Sequence, residues 1–185
     1  MNILLGVSGG IAAYKAADLT SQLVKTSASV RVIMTPSATQ FVGPLTFEAL
    51  SGHPVMTDTF ATGSSVDGAS AIEHISWAKW ADVAVIAPAT ASTLGKLAHG
   101  IADNALLTVW LALPPSVPQL LCPAMNTMMW EHPAMQANLQ TLAGHGRYRI
   151  VDPVAKRLAC GDVGVGGLAE VSDIVAAVRE AGAGR

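Results

Sequence analysis

The chain has 185 residues, of which 51% are hydrophobic and only 13% charged, and its 11 basic and 13 acidic side chains leave a formal net charge of −2. This balance excludes a disordered chain, which needs low hydrophobicity and high charge, and argues against a nucleic-acid partner, which usually calls for a basic excess. The length predicts a single domain over residues 1–185. Because so few charged residues are available for the surface, we expect part of that surface to be buried against other copies of the chain.

The apolar segments do not predict a membrane protein. The longest uncharged run, Asn104 to Trp130, is interrupted by prolines, and its apolar core at 106–113 is far shorter than the roughly 20 residues that a span requires. The N-terminus lacks the basic region of a signal peptide. Two cysteines, Cys122 and Cys160, are too few for a disulfide framework. Together these features predict a cytoplasmic protein with free thiols.

Short apolar runs alternate with segments of helical period along the whole chain. Several of the apolar runs are continuous, as expected for parallel strands covered by helices on both faces. The pattern predicts a three-layer α/β/α fold, Rossmann-like (flavodoxin-like), with a parallel sheet and right-handed crossovers. The predicted strands are 2–7, 30–35, 54–56, 82–87, 119–123 and 147–151. The predicted helices are 11–24, 45–50, 75–80, 92–98, 104–113, 134–142 and 172–181.

The first predicted strand ends in Ser8-Gly9-Gly10, and a helix follows directly. Glycines let the backbone approach a ligand closely, and the start of a helix offers unpaired amides that favour an anion such as a phosphate. On these residues alone, a tight turn without a ligand remains an alternative. The segment is neither a Walker loop nor a complete dinucleotide fingerprint.

Two further strand–helix junctions carry hydroxyl side chains. One is Thr35-Pro36-Ser37, and the other runs from Ala87 to Thr93 and contains Thr90, Ser92 and Thr93. Each junction alone is ambiguous, because Ser and Thr are ordinary helix N-caps. All three junctions fall at the carboxyl edge of the predicted sheet, where open α/β sheets bind ligands. Together they favour a cofactor that carries a phosphate.

Two long stretches are predicted to lack regular structure. Residues 58–70 are rich in Thr, Gly, Ser and Ala and predict a mobile loop, and residues 153–170 are rich in glycine. A loop of this length inside a compact domain is usually functional or disordered. The second stretch contains Cys160, which favours a function. Its segment Gly164–Ala169 matches G-x-G-x-x-A but does not open an early βαβ unit, so we reject it as a nucleotide site.

His74 stands before a helical segment, and the five histidines of the chain show no spacing typical of a zinc site. We therefore expect no metal. Taken alone, His74 is more typical of a surface or capping residue than of a catalyst.

The segment Pro123–Trp130 reads Pro-Ala-Met-Asn-Thr-Met-Met-Trp and follows a predicted strand. Asn126 could cap a helix among core methionines. Its amide could equally donate to a carboxylate without adding charge.

Taken together, these segments resemble the homo-oligomeric flavin-containing cysteine decarboxylases, over nearly the whole chain from Asn2 to about Val178. The pattern Pro-x-Met-Asn-x-x-Met-Trp is that family's signature and is matched in full at 123–130. The Ser8-Gly9-Gly10 turn, His74, Lys96–Asn104 and Leu158–Gly161 follow in matching order.

The resemblance implies FMN as the cofactor and trimers or dodecamers that hold FMN and substrate between subunits. It places the FMN phosphate at Ser8, Gly9, Gly10 and Ile11 and around Thr35 and Ser37. It lines the flavin with Thr90, Ala91, Ser92, Thr93 and Ala124. It implies His74 as the catalytic base, Asn126 with Met125 at the substrate carboxylate, and Cys160 as the proton donor. It places Arg157, Ala159 and Leu168 on a flexible flap over the substrate.

The implied reaction is decarboxylation of a C-terminal cysteine, in the first place conversion of 4'-phosphopantothenoylcysteine to 4'-phosphopantetheine in coenzyme A synthesis. Flavin-dependent oxidation to a thioaldehyde lets CO2 leave, and protonation of the ene-thiolate by Cys160 allows the reduction that completes a redox-neutral cycle. The alternative is oxidative decarboxylation of a peptide that ends in cysteine, which stops at the enethiol.

Several residues bear on the choice between these reactions. Cys160 favours the coenzyme A reaction. Ser92, where the family commonly has Asn, puts one hydrogen bond to the flavin in doubt, and Gly167-Leu168, in place of a more polar pair, weakens the case for a phosphorylated substrate. A regulatory flavoprotein is a remote alternative because His74, Asn126 and Cys160 are all present. Prenyl-flavin synthases share the fold but lack the motif at 123–130.

Overall fold

The computed structural model describes residues 1–59, 73–157 and 163–183. A six-stranded sheet forms its centre, and every neighbouring pair of strands in it is parallel. The strand order is β3-β2-β1-β4-β5-β6, which is the order of a doubly wound sheet. The six strands are β1 Asn2–Val7, β2 Ser29–Met34, β3 Val55–Met56, β4 Val83–Ala89, β5 Gln119–Pro123 and β6 Tyr148–Ile150.

Helices cover both faces of this sheet. They are α1 Ala13–Lys25, α2 Pro44–Ser51, α3 Glu73–Trp80, α4 Ala91–Ala98, α5 Ala105–Leu111, α6 Thr127–Glu131, α7 Pro133–Gly144 and α8 Val171–Ala183. Helices α1, α2 and α8 pack in one apolar core, and α3, α4, α5 and α7 pack in the other. The strands feed both cores because successive side chains point to opposite faces: in β1, Ile3 and Leu5 belong to the first core and Leu4 to the second.

The order of the sheet reverses between β1 and β4. The chain proceeds outward from β1 through β2 to β3, and from β4 through β5 to β6 on the other side. The helix that follows β1 lies on one face and the helix that follows β4 lies on the other. The two turns therefore diverge, and a crevice forms between them at the carboxyl ends of the strands.

The predicted three-layer fold is confirmed, and most predicted elements agree with the observed ones to within a few residues. The stretch 153–170 is the main correction, because it contains an antiparallel pair of strands, β7 Val154–Arg157 and β8 Val163–Gly167, rather than an irregular loop. Glycine has low strand propensity, so the composition of β8 hides it. The short helix α6 was also not predicted. The predicted loop at 58–70 falls largely outside the described residues.

None of the helices within the described ranges is both long enough and apolar enough to cross a membrane.

Gly6 brings β1 and α5 into close contact. A Cβ atom added at Gly6 would lie 3.0 Å from Leu106 Cδ1, 3.1 Å from Trp110 Cζ3 and 3.3 Å from Ile86 Cγ1. Leu106 and Trp110 are fully buried, so they have little room to move away.

We expect Gly6→Ala to lower the free energy of unfolding by about 1–3 kcal/mol, because the added methyl group overfills this part of the core. Urea unfolding followed by circular dichroism measures the change. Gly144→Ala is the matched control, since Gly144 is exposed in α7 with no atom within 4 Å of an added Cβ. Helix propensity predicts no loss there and a gain of up to about 1 kcal/mol. Equal stability of Gly6→Ala and the wild type would show that the contact is not tight.

Candidate functional site

A cleft of about 800 Å³ opens at the carboxyl edge of the sheet, where the strand order reverses. Its walls come from the turns after β1, β4 and β5, from the first turn of α1 and from the β7–β8 hairpin. The residues that line it are Gly9, Gly10, Ile11, Ala12, Tyr14, Lys15, Pro88, Thr90, Ala91, Ser92, Ala124, Met125, Asn126, Met129, Lys156, Gly166, Gly167 and Leu168. A second hollow lies at the opposite edge of the sheet, between the ends of α1 and α8, and contains none of the predicted site residues.

In the turn between β1 and α1, Gly9 lies directly against the turn after β2. A Cβ atom added at Gly9 would overlap both the side chain and the backbone of Ser37, so only glycine fits there. Ser37 is exposed beside this contact, whereas Thr35 is buried and its Oγ1 accepts a hydrogen bond from Ala38 N at 3.2 Å. The hydroxyl of Thr35 is therefore engaged within its own turn. Neither Thr35 nor Ser37 lines the cleft.

Ser8 links the turn after β1 to the turn after β4. Its side chain is fully buried, and its Oγ donates to the carbonyl of Pro88 at 2.7 Å and accepts from the backbone N–H of Thr90 at 2.9 Å. The Ser8 N–H also donates to Pro88 O at 3.3 Å. The Ser8 side chain thus sets the distance between two walls of the cleft and does not itself line it.

The start of α4 forms the wall opposite α1. Thr90 is the N-cap residue, and no side chain caps the first turn of this helix. Thr90, Ala91 and Ser92 line the cleft, and Ser92 is exposed. Thr93 is buried and its hydroxyl lies 3.2 Å from that of Thr90. Unpaired amides at a helix start favour a ligand with hydrogen-bond acceptors or negative charge.

Asn126 occupies the junction between β5 and α6. Its Oδ1 accepts from Met129 N at 3.0 Å, so it caps α6, and the residue also lines the cleft. The predicted helix cap is therefore confirmed, and the predicted hydrogen bond to a carboxylate stays a prediction. Because Oδ1 is engaged in the cap, Nδ2 is the group of this side chain that can still bind a ligand. Nδ2 has no acceptor in the described part of the chain. Asn126 can thus donate a hydrogen bond to a ligand without contributing charge.

The β7–β8 hairpin packs directly on the loop that carries Asn126. Met125 N donates to Gly166 O at 2.8 Å, and Gly166 has a φ of 137°. A Cβ atom at Gly166 would overlap Met125 O, and one at Gly164 would overlap Thr127. Leu168, expected on a flexible flap, is instead only 2% exposed and packs in the core that contains α1 and α8, while it also contacts the cleft.

Lys15, Tyr14 and Lys156 also line the cleft, and the sequence reasoning did not single them out. Lys15 and Tyr14 lie four and three residues after Ile11, so helical spacing in the predicted helix 11–24 could have placed all three on one face, although the observed α1 begins only at Ala13. Lys156 lies on β7, and no signal pointed to it because that strand was not predicted.

Other predicted site residues lie away from the cleft or outside the described ranges. His74 is half-buried in the first turn of α3, on the sheet face that also holds α5, and does not line the cleft of its own chain. Arg157 ends β7, but its side chain is outside the described part, as are Ala159 and Cys160. Cys122 is buried in β5, and burial raises the pKa of its thiol, which keeps the thiol protonated.

Residues 1–182 match the family model described as Flavoprotein. Among curated proteins, the chain is 48% identical over 178 residues to a probable phosphopantothenoylcysteine decarboxylase of Streptococcus mutans, covering 96% of this chain and 97% of that protein. It is 52% identical over 174 residues to the coenzyme A biosynthesis bifunctional protein CoaBC of Bacillus subtilis, covering 94% of this chain. It spans only 41% of that bifunctional protein.

Solved structures of decarboxylases are also similar to this chain. A PPC decarboxylase mutant complexed with pantothenoylaminoethenethiol superimposes with a TM-score of 0.83 at 36% identity, covering 97% of this chain and 96% of that one. The FMN-dependent cysteine decarboxylase SpaF superimposes with a TM-score of 0.80 at 36% identity, covering 98% and 97%.

We expect Ser8→Ala to lower the free energy of unfolding by about 1–3 kcal/mol, because it removes a buried hydrogen bond to Pro88 O and leaves the half-buried Thr90 N–H without its acceptor. Urea unfolding of the protein without added cofactor isolates this effect from ligand binding. Ser76→Ala is the matched control, since among the described residues its exposed hydroxyl bonds only to Glu73 O, and we expect a change within about 0.5 kcal/mol. If the two variants are equally stable, Ser8 does not hold the turns together.

Proposed function

The chain belongs to the flavoprotein family, among the flavin-containing cysteine decarboxylases, and we propose that it converts 4'-phosphopantothenoylcysteine to 4'-phosphopantetheine. The observation that carries this proposal is the cleft in which the neutral amide of Asn126 faces a space bounded by a glycine turn and an uncapped helix start. The likeness to the Streptococcus mutans protein over nearly its full length supports the choice of substrate. We place the reaction in the cytoplasm.

The residues of the cleft fit FMN. Gly9 and Gly10 leave the backbone bare beside the start of α1, where a phosphate group is favoured, and Ser37 is exposed next to them. Ile11, Met125 and Met129 offer apolar surface for a planar ring system. The volume of about 800 Å³ lies in the upper part of the range of roughly 300–1,000 Å³ for ligand pockets, which leaves room for more than one small group. When bound, FMN supplies the electron sink that an unactivated cysteine carboxylate lacks.

In this proposal, Asn126 holds the carboxylate that is lost as CO2. Its Nδ2 donates to the carboxylate, and the hydrogen bond from Met129 N to Oδ1 fixes which end of the amide faces the cleft. A neutral donor orients the carboxylate without the ion pair that a lysine or arginine would form. An ion pair would stabilise the charged substrate more than the transition state, in which that charge is leaving.

We assign the proton transfers to His74 and Cys160 on the strength of the family pattern. His74 removes the proton of the substrate thiol during its oxidation. Cys160 then protonates the ene-thiolate after CO2 has left, so that the reduction can be completed and the overall reaction is redox-neutral. Because the described His74 does not line its own cleft, we propose that it serves the cleft of a neighbouring subunit in a trimer.

Exposed apolar side chains around the cleft support this arrangement. Ile11 is 59% exposed, Tyr14 60% and Met129 48%, which leaves three large apolar groups in solvent beside the site. Burial of such a patch against a second copy removes its cost of hydration. A site that two subunits share is thus compatible with both the position of His74 and the composition of the surface.

Mass spectrometry of the product tests the proposed reaction. The protein reconstituted with FMN should take up the flavin and convert phosphopantothenoylcysteine to a product that lacks only CO2, whereas Cys160→Ser should stop at the product that lacks CO2 and two hydrogens. A protein that takes up no FMN, or that releases no CO2, contradicts the proposal. Loss of CO2 and two hydrogens from a peptide that ends in cysteine, but not from phosphopantothenoylcysteine, would instead identify the peptide reaction.

Mixed oligomers test whether His74 and Asn126 of one site come from different subunits. Asn126→Asp keeps an oxygen that can cap α6 but opposes the substrate carboxylate with a second negative charge, so we expect FMN binding without turnover. His74→Asn should likewise be inactive. After the two variants are unfolded together and refolded, some sites should contain both wild-type residues, and activity should reappear.

Refolding of each variant by itself is the control for this experiment. The proposed sharing is wrong if the mixed sample stays inactive although mass spectrometry of the intact assemblies shows that they contain both variants.

A further inference from the structure

Lys15 and Lys156 are the only charged residues among the described residues that line the cleft, and both are positive. Lys15 lies in the first turn of α1, and Lys156 lies on β7 of the hairpin. Their side chains are 22% and 29% exposed, so both ammonium groups are partly withdrawn from water. The cleft therefore contains positive charge from two separate elements of the fold.

The two lysines share a single carboxylate. Glu170 Oε1 lies 3.3 Å from Lys156 Nζ, and its Oε2 lies 4.0 Å from Lys15 Nζ. Lys156 Nζ also donates to the carbonyl of Leu168 at 2.7 Å, which fixes its position. Glu170 itself is 56% exposed and does not line the cleft. Both lysines line the cleft and the carboxylate does not, and the three groups together carry one net positive charge at this wall.

The surroundings of Lys156 act on its pKa in opposite directions. Burial is the largest cause that lowers the pKa of Lys156, and the neighbouring Lys15 lowers it further, while Glu170 opposes both effects. Two like charges beside one carboxylate are stabilised by an additional anion. A phosphate monoester, with close to two negative charges and three acceptor oxygens, suits a pair of ammonium groups.

We propose that Lys15 and Lys156 bind the phosphate group of the substrate and so select the phosphorylated substrate over an unphosphorylated one. This inference rests on the proposed function. The other two anions that the reaction brings to the cleft already have positions in it: the substrate carboxylate at Asn126, and the flavin phosphate at the Gly9–Gly10 turn. A peptide that ends in cysteine has no phosphate to offer, so the lysine pair discriminates against it.

The position of the pair also couples binding to the hairpin. A phosphate held by both lysines bridges α1, which is fixed in the core, and β7, which is joined to the Asn126 loop through β8. Phosphate binding at one end of the substrate thereby steadies the loop that holds its carboxylate at the other end. The preference for the phosphorylated substrate should consequently appear in kcat as well as in KM. The contact between the phosphate and the lysines affects both the affinity for the substrate and the position of its carboxylate.

The test compares 4'-phosphopantothenoylcysteine with the dephosphorylated pantothenoylcysteine. For each enzyme the ratio of the two kcat/KM values measures the preference for phosphate. We expect Lys15→Met and Lys156→Met each to reduce this ratio by roughly tenfold to a hundredfold, the range for hydrogen bonds to charged groups. Lys156→Arg, which retains the charge, should restore most of the ratio.

Lys25→Met is the matched control, because Lys25 is exposed at the far end of the same helix, α1, and lies at the opposite edge of the sheet. We expect it to leave the ratio unchanged. The dissociation constant of FMN is measured in parallel by flavin fluorescence, and it should be the same in every variant.

The outcomes separate this inference from the proposed function. An unchanged ratio in Lys15→Met and Lys156→Met, with decarboxylation intact, overturns the inference and leaves the proposed function standing. Weaker FMN binding in these variants without a change in the ratio also overturns it, because the lysines would then bind the flavin phosphate. Absence of decarboxylation of either substrate by the FMN-loaded wild-type enzyme contradicts the proposed function itself.

Discussion

The hydrogen bonds of Ser8 hold together the two turns between which the cleft opens. Ser8 and Pro88 are 80 residues apart in the chain, and the helices that follow their strands lie on opposite faces of the sheet. The pairing of β1 with β4 and the hydrogen bond from Ser8 N to Pro88 O bring the turns together, although each continues into a helix that packs in a different core. The buried Ser8 hydroxyl adds two further hydrogen bonds between the turns, because it donates to Pro88 O and accepts from Thr90 N. The dimensions of the cleft therefore depend in part on a side chain that does not line it.

Asn126, the β7–β8 hairpin and His74 are held in place by different contacts. Asn126 is oriented by the helix that it caps, and the hairpin reaches it through the backbone of Gly166. His74 lies on α3, which packs in the second core, and it does not line the cleft. The proposed reaction needs both residues in one place, and the proposed neighbouring subunit would bring them together and cover the large apolar groups beside the cleft.

The sequence predicts the sheet well because continuous apolar strands and the junctions after them have strong local signals. Gly9, Gly10, Thr90, Ser92, Ala124 and Asn126 were all expected in the site, and all line the cleft. Ser8 was expected there too, but its engagement with Pro88 depends on strand order, which no local pattern encodes. Lys156 was missed since the hairpin owes its stability to tertiary contacts with the Asn126 loop, and its glycines carry no strand signal.

The glycines of β8 determine which positions of the hairpin can be substituted. The hairpin meets the Asn126 loop through backbone atoms, at positions where a side chain would not fit. These contacts do not involve Lys156, the residue of β7 that lines the cleft among the described residues. A substitution at Lys156 can therefore alter which substrate is accepted while the hairpin stays attached to the Asn126 loop. The fold thus separates the backbone contact that holds the hairpin in place from the side chain that faces the substrate in the proposed function.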